Sequence, residues 1–140
     1  MKILIPVDDS DTSLRAIDWL GRLPEAAAIE VHLLNVRGLA ESYGAVAALD
    51  YDAVERSLRE GQQNLLARAL DRANRAGFER VTIHGAHGLP AERIVDHAKA
   101  TGVDQIVMAS HGRGAIGTFF MGSVAQEVVH RAPMAVTLVK

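Results

Sequence analysis

Short unbroken apolar runs alternate along this chain with longer stretches whose apolar residues recur every three or four positions. Five runs are rich in β-branched residues: 2–7, 29–36, 80–84, 103–108 and 134–139. Such runs, with no polar alternation, predict strands buried on both faces. The intervening stretches read as helices. Leu14, Ile17, Leu20 and Leu23 follow a cluster of cap-type residues, Ser10, Asp11, Thr12 and Ser13, which marks a helix start. Val54, Leu58, Leu65, Leu66, Ala69, Leu70 and Ala73 form the stripe of a long helix ending near Gly77. Pro90 suits the first turn of a third helix, which carries Ile94, Val95 and Ala98 and stops at Gly102. Ser123 and Gln126 read as a capping-box pair ahead of Val124, Val128 and Val129.

The predicted order is βαβαβαβαβ. Strict alternation with near-continuous apolar strands predicts an α/β fold: one parallel sheet covered by helices on both faces. Residues 1–140 read as a single domain, with no long-period repeat or low-complexity tail. The one long connection, 37–50, contains Gly38 and Gly44. It reads as a surface loop, with a lid or a partner-contacting patch as alternatives.

Composition narrows the possible functions. Hydrophobic residues make up 49% and charged residues 23% of the chain, as in a soluble globular protein. The formal net charge of -2, with no long basic run, argues against nucleic acid or an anionic membrane as the main partner. There is no cysteine, which excludes disulfides, thiol nucleophiles and cysteine-based zinc sites. The apolar run before Asp8 and Asp9 is too short for a signal peptide. No segment approaches the roughly 20 apolar residues of a membrane helix. The expected location is cytoplasmic.

Candidate chemistry concentrates where the fourth apolar run empties into glycine. The segment from Val107 to Ser123 reads V-M-A-S-H-G-R-G-A-I-G-T-F-F-M-G-S and leads into the last helix. Glycines let backbone amides approach a ligand, and a helix N-terminus attracts negative charge, so the pattern suits phosphate. Gly112, Gly114 and Gly117 literally match G-x-G-x-x-G. That fingerprint belongs to a βαβ unit with an acidic residue about 20 positions on. Here only one strand follows, and it contains no acidic residue. The same glycines nearly spell a Walker A loop, but its lysine is missing.

The better match is A-S-H-G at 109–112, nine residues, then Gly122-Ser123, which resembles the universal stress protein signature G-x-x-G-x9-G-[S/T]. The resemblance covers the whole chain. I-L-I-P-V-D-D-S at 3–10 is similar to the family's opening strand and its P-x-D turn, and V-H-L-L-N-V at 31–36 to its second strand. G-L-P-A-E-R-I at 88–94 resembles the start of its third helix. A-P-M-A-V-T-L-V at 132–139 resembles its closing strand. The signature's first glycine is replaced by Ala109. A methyl there costs little on ordinary backbone but crowds a ligand pressed against the turn.

The resemblance implies a five-stranded parallel sheet of order 3-2-1-4-5, as in adenine nucleotide alpha hydrolase-like folds. It also implies ATP or a related adenine nucleotide as ligand, with Mg²⁺ as an optional companion. Asp8 would contact ribose hydroxyls beside a turn shaped by Pro6 and Val7. Val36 would offer backbone groups and an apolar wall to adenine, and Met108 and Ala109 would line the base and sugar. Ser110, His111 and Gly112 would begin the phosphate turn, and Gly122, Ser123 and Val124 would hold phosphates. A homodimer through the last strand is implied as well, and the apolar edge invites it.

Several residues carry two readings. Asp9 reads as a cap residue or a Mg²⁺ ligand. Ser123 serves a helix cap and a phosphate equally. His111 reads as an exposed loop residue contacting ligand by its backbone, or as a phosphate donor. Arg113 reads as the cation for a phosphate tail or as an ordinary exposed arginine. Phe119, Phe120 and Met121 read as core or interface residues. His32, His84, His87, His97 and His130 show no H-x-x-x-H spacing or facial cluster, and no metal site is expected. The functional expectation is a nucleotide-dependent regulatory protein of stress response, with an unidentified protein partner and no catalytic residues. The alternatives are an interaction module that has lost the nucleotide and a slow ATPase. The second lacks a committed base and a lysine clamp.

Overall fold

The computed structural model describes residues 1–38, 51–111 and 121–140. Five parallel strands form the sheet: β1 (Lys2–Pro6), β2 (Glu30–Arg37), β3 (Arg80–His87), β4 (Gln105–Ala109) and β5 (Ala135–Val139). Their order is β3-β2-β1-β4-β5. Four helices connect or cover them: α1 (Asp11–Gly21), α2 (Tyr51–Arg75), α3 (Pro90–Thr101) and α4 (Ser123–Arg131).

Alternating side chains of the central strands feed two cores. Ile3, Ile5, Val31, Leu33 and Val107 point to the face covered by α1 and α2, where they meet Leu14, Ile17, Leu66 and Ala69. Leu4, Leu34, Ile106 and Met108 point to the other face, against Ile94, Val95 and Ala98 of α3 and Ala125 and Val128 of α4. The result is a three-layer α/β/α sandwich, the predicted architecture with the implied strand order.

Several local expectations are corrected. The apolar run at 80–84 is not a strand buried on both faces. β3 is an edge strand running to His87, with Ile83 43% exposed. β5 is the opposite edge, with only Val139 fully buried. Leu23 lies beyond the end of α1 and is exposed. In α2 the buried stripe is limited to Leu65, Leu66, Ala69 and Ala73, while Val54, Leu58 and Leu70 are only half-buried. At the end of α3, Gly102 takes the left-handed conformation (φ 62°) and returns its amide to Ala98 and Lys99, which stops the helix as expected.

Candidate functional site

The crevice of an open parallel sheet lies where neighbouring strands send their connections in opposite directions. In the order β3-β2-β1-β4-β5 that point falls between β1 and β4. The two strands pair only at Ile3↔Gln105 and Leu4↔Ile106. β1 continues to Pro6 and β4 to Ala109 without a further pair, so the ladder closes before their carboxyl ends.

Beyond β1, the Val7 amide donates to the Leu34 carbonyl (2.8 Å) and Val7 is buried. Asp8 then accepts on Oδ1 from the Ser10 amide (2.9 Å) and the Ser10 hydroxyl (2.5 Å). Ser10 in turn caps α1 by accepting from the Ser13 amide (3.1 Å). Asp8 therefore fixes the cap residue rather than being the cap. Asp9 is not a cap either: it forms an ion pair with Arg68 of α2.

Beyond β4, the chain is gripped from two sides. The Ser110 amide donates to the Val139 carbonyl (2.8 Å), and the Ser110 carbonyl accepts from the Gly122 amide (2.8 Å). The second bond brings the start of α4 to the end of β4. The cap of α4 is Gly122 (φ -61°, ψ 147°), whose carbonyl accepts from Gln126 (2.9 Å). Ser123 is thus the first helical residue and forms no capping box. A glycine cap leaves the first amides of the helix without a side-chain oxygen competing for them. Ser123 is exposed, while Val124 is half-buried against the α3–α4 core.

Ala109 is in β4, paired with Val139 and buried. Strand backbone accepts a Cβ without strain, so the alanine costs no backbone energy. Met108 packs in the α3–α4 core and offers the crevice its main chain rather than its side chain. Val36, near the end of β2, is half-buried against the same core beside Ala86. His111 is not an exposed loop residue. Its Nδ1 lies 2.7 Å from Ser110 Oγ, and its Nε2 is buried with no hydrogen-bond partner among the described residues. If the serine hydroxyl donates to Nδ1, the proton sits on Nε2, where an anion would accept it. Gly112, Arg113, Phe119, Phe120 and positions 39–50 lie outside the described residues; Met121 is exposed.

Two supporting residues were not foreseen. Buried Asn35 donates from Nδ2 to the Val7 carbonyl (2.8 Å). Gln62 of α2 donates from Nε2 to the Asn35 carbonyl, to Asn35 Oδ1 and to the Ala86 carbonyl, each at 3.1 Å. This network ties the ends of β1, β2 and β3 together. Gly85 makes room for it, since a Cβ there would lie 2.9 Å from Gln62 Oε1. An asparagine at a buried position of a largely apolar run was the available signal. Near the same end, Arg37 pairs with Glu55 (2.9 Å). That hydrogen bond holds the Glu55 carboxyl below its ordinary pKa.

The histidines also depart from expectation. His32 of β2, His84 of β3 and His97 of α3 converge between the sheet and α3. His32 Nδ1 is 3.2 Å from His84 Nε2, and the two rings stack with centroids 5.3 Å apart. His97 tilts against His84 at 4.4 Å. Burial, and secondarily the positive charge of the neighbouring imidazoles, lowers the pKa of both His84 and His97. The signal was a histidine at positions whose pattern calls for an apolar residue. His32 lies inside an apolar run, and His97 shares the packed face of Ile94 and Ala98.

The family model described as "Universal stress protein family" matches residues 1–140. The solved structure of MJ0577 from Methanocaldococcus jannaschii superposes with a TM-score of 0.83 at 30% identity, covering 99% of this chain and 94% of that one. A universal stress protein in complex with cAMP gives a TM-score of 0.70 at 24% identity, with coverages of 99% and 95%. An Archaeoglobus fulgidus universal stress protein in complex with dAMP gives 0.67 at 23%, covering 100% of this chain and 98% of that one.

Proposed function

Because the chain belongs to the universal stress protein family, we propose that it binds an adenine nucleotide, ATP among them, at the carboxyl ends of β1 and β4. The observation that carries the reading is the Gly122 amide bonded to the Ser110 carbonyl. It sets the N-terminus of α4 beside the end of β4, where β4 no longer pairs with β1, and a helix N-terminus suits phosphate. Fold relatives in complex with cAMP and dAMP support adenine as the base. Asp8, held by Ser10, faces the ribose. Val36 and the main chain of Met108 and Ala109 border the base and sugar. His111 Nε2, the amides of Gly122, Ser123 and Val124, and the Ser123 hydroxyl meet the phosphates, with Pro6 and Val7 shaping the turn. Gly112 and Arg113 complete the set on the reading of the signature. The bound nucleotide acts as a regulatory ligand in stress response rather than as a substrate. A second copy pairs along β5, whose Val136 and Leu138 are half-buried at the sheet edge.

A ligand that binds only the folded state raises stability by mass action. Thermal melts in millimolar ATP with Mg²⁺, AMP and cAMP are expected to show a rise with at least one of them. Ser123→Ala should reduce that rise, with a loss of about 1 kcal/mol in binding for one hydroxyl hydrogen bond. Unchanged melting with all three nucleotides would overturn the reading.

A further inference from the structure

The histidine cluster lies away from the nucleotide crevice, on the α3 side of the sheet near its β3 edge. Its members are placed by three separate elements. His32 pairs in register with Leu4 on one side and Thr82 on the other, at mid-sheet. His84, two residues further along β3, pairs with Leu34. His97 comes down from the packed face of α3, between Ile94 and Ala98. One ring nitrogen from each residue lies within 4.8 Å of the other two. His32 is buried and the others are half-buried.

The cluster combines a carboxylate-backed histidine with a buried ring nitrogen that has no hydrogen-bond partner among the described residues. Glu30 Oε1 lies 3.0 Å from His32 Nε2. A carboxylate there holds the proton on Nε2 and leaves the Nδ1 lone pair aimed at His84. Ligating histidines take this orientation when a carboxylate stands behind them. His97 Nε2 is shielded from water and has no hydrogen-bond partner among the described residues, and leaving a buried polar atom unpaired is costly. Two nitrogens on a tetrahedral zinc, each at about 2.0–2.1 Å, are about 3.3 Å apart. His32 Nδ1 and His84 Nε2 are already 3.2 Å apart. His97 need close by no more than about 1.5 Å to complete three ligands.

We propose that His32, His84 and His97 bind a divalent transition-metal ion, Zn²⁺ by preference, with Glu30 orienting His32 and water in the fourth position. Imidazole ligands without carboxylates in direct contact favour Zn²⁺, Cu²⁺ or Ni²⁺ and disfavour Mg²⁺ and Ca²⁺, which take oxygen. Thr82 Oγ1, 3.3 Å from His84 Nε2, borders the site. The proposal is separate from the nucleotide reading and needs no nucleotide for its test.

The test uses the full chain with any affinity tag removed. Co²⁺ is titrated at neutral pH and followed by its visible ligand-field bands, and Zn²⁺ is titrated by calorimetry and by displacement of Co²⁺. One ion per chain is expected, with the intense bands of four-coordinate Co²⁺ and their loss on adding Zn²⁺. Glu30→Gln should weaken binding by about 10- to 100-fold. His84→Ala and His97→Ala should weaken it by at least that much, while His87→Ala and His130→Ala should bind as the parent does. His84 is only half-buried on an edge strand, so its variant reports even where a change at buried His32 prevents folding. The proposal is overturned by the absence of Co²⁺ bands and of Zn²⁺ heat below millimolar concentration. It is equally overturned if His84→Ala, folded by circular dichroism, binds as tightly as the parent.

Discussion

Individual side chains in this protein act mostly by tying one element to the next, and Asp18 is a clear case. Arg72 of α2 grips it from two nitrogens, at 2.8 Å to Oδ1 and 2.5 Å to Oδ2. That hydrogen bonding lowers the Asp18 pKa below its ordinary 3.8; partial burial opposes the shift, and the charges of Arg72 and Arg22 assist it. A carboxyl whose pKa is lower folded than unfolded binds more protons when unfolded in the window between the two values. Its contribution to stability is therefore complete above pH 3.8 and fades as pH falls through the lowered value. A carbon-detected NMR titration should place the Asp18 midpoint below 3.8, and Arg72→Gln should return it towards 3.8. A midpoint unaffected by the arginine change would refute the assignment. At this scale the sequence was only partly legible. The cap of α1, Ser10, lies in the predicted cluster of cap-type residues, whereas Asp9 is no cap and Gly122 displaced Ser123 as the cap of α4. Capping boxes are inferred from spacing alone, and here a tertiary bond from Gly122 to Ser110 decides where the helix begins. The hold of Gln62 on Asn35 joins residues 27 apart in sequence, which local pattern cannot supply.

Elements were more legible than residues, because each is specified by many positions at once. The strands and the four described helices follow from apolar runs and stripes, and most shifts of their ends are of one or two residues. What periodicity could not distinguish was a central strand from an edge. Residues 80–84 and 134–139 look apolar enough for burial on both sides, yet β3 and β5 terminate the sheet. Only neighbours in space reveal an edge. The same holds for close approaches between helices. Gly21, the last residue of α1, sits against α2's exit, where an added Cβ would lie 2.8 Å from Ala76 Cβ and 3.0 Å from the Ala76 carbonyl oxygen. One neighbour is a backbone atom, so the contact can be relieved only by moving the helices apart. Overpacking of this kind costs about 1–3 kcal/mol. Urea unfolding of Gly21→Ala should show a lower midpoint with an unchanged slope, and a midpoint equal to the parent's would mean that α1 and α2 yield freely.

At the scale of the whole molecule, strand order positions both candidate sites. It puts the reversal of connections between β1 and β4, beside the start of α4, and it brings β3 next to β2 so that His84 reaches His32. The first consequence followed from the signature segment and the implied order. The second needed the register of β2 on β3 and the face of α3 as well, and three histidines spread over 66 positions do not announce it. The two sites share β2, but Val36 is four residues beyond His32, about 13 Å along an extended strand. Sites farther apart than about 7–10 Å with no shared partner contribute independently to stability. Each ligand should therefore stabilise the chain by its own mass-action term, and the two terms should add. Urea unfolding with saturating adenine nucleotide, with Zn²⁺ and with both tests this directly. The combined gain should equal the sum of the single gains within about 0.5 kcal/mol. A larger departure would mean that β2 transmits occupancy from the edge of the sheet to its centre, and the sites would then be coupled rather than merely neighbouring.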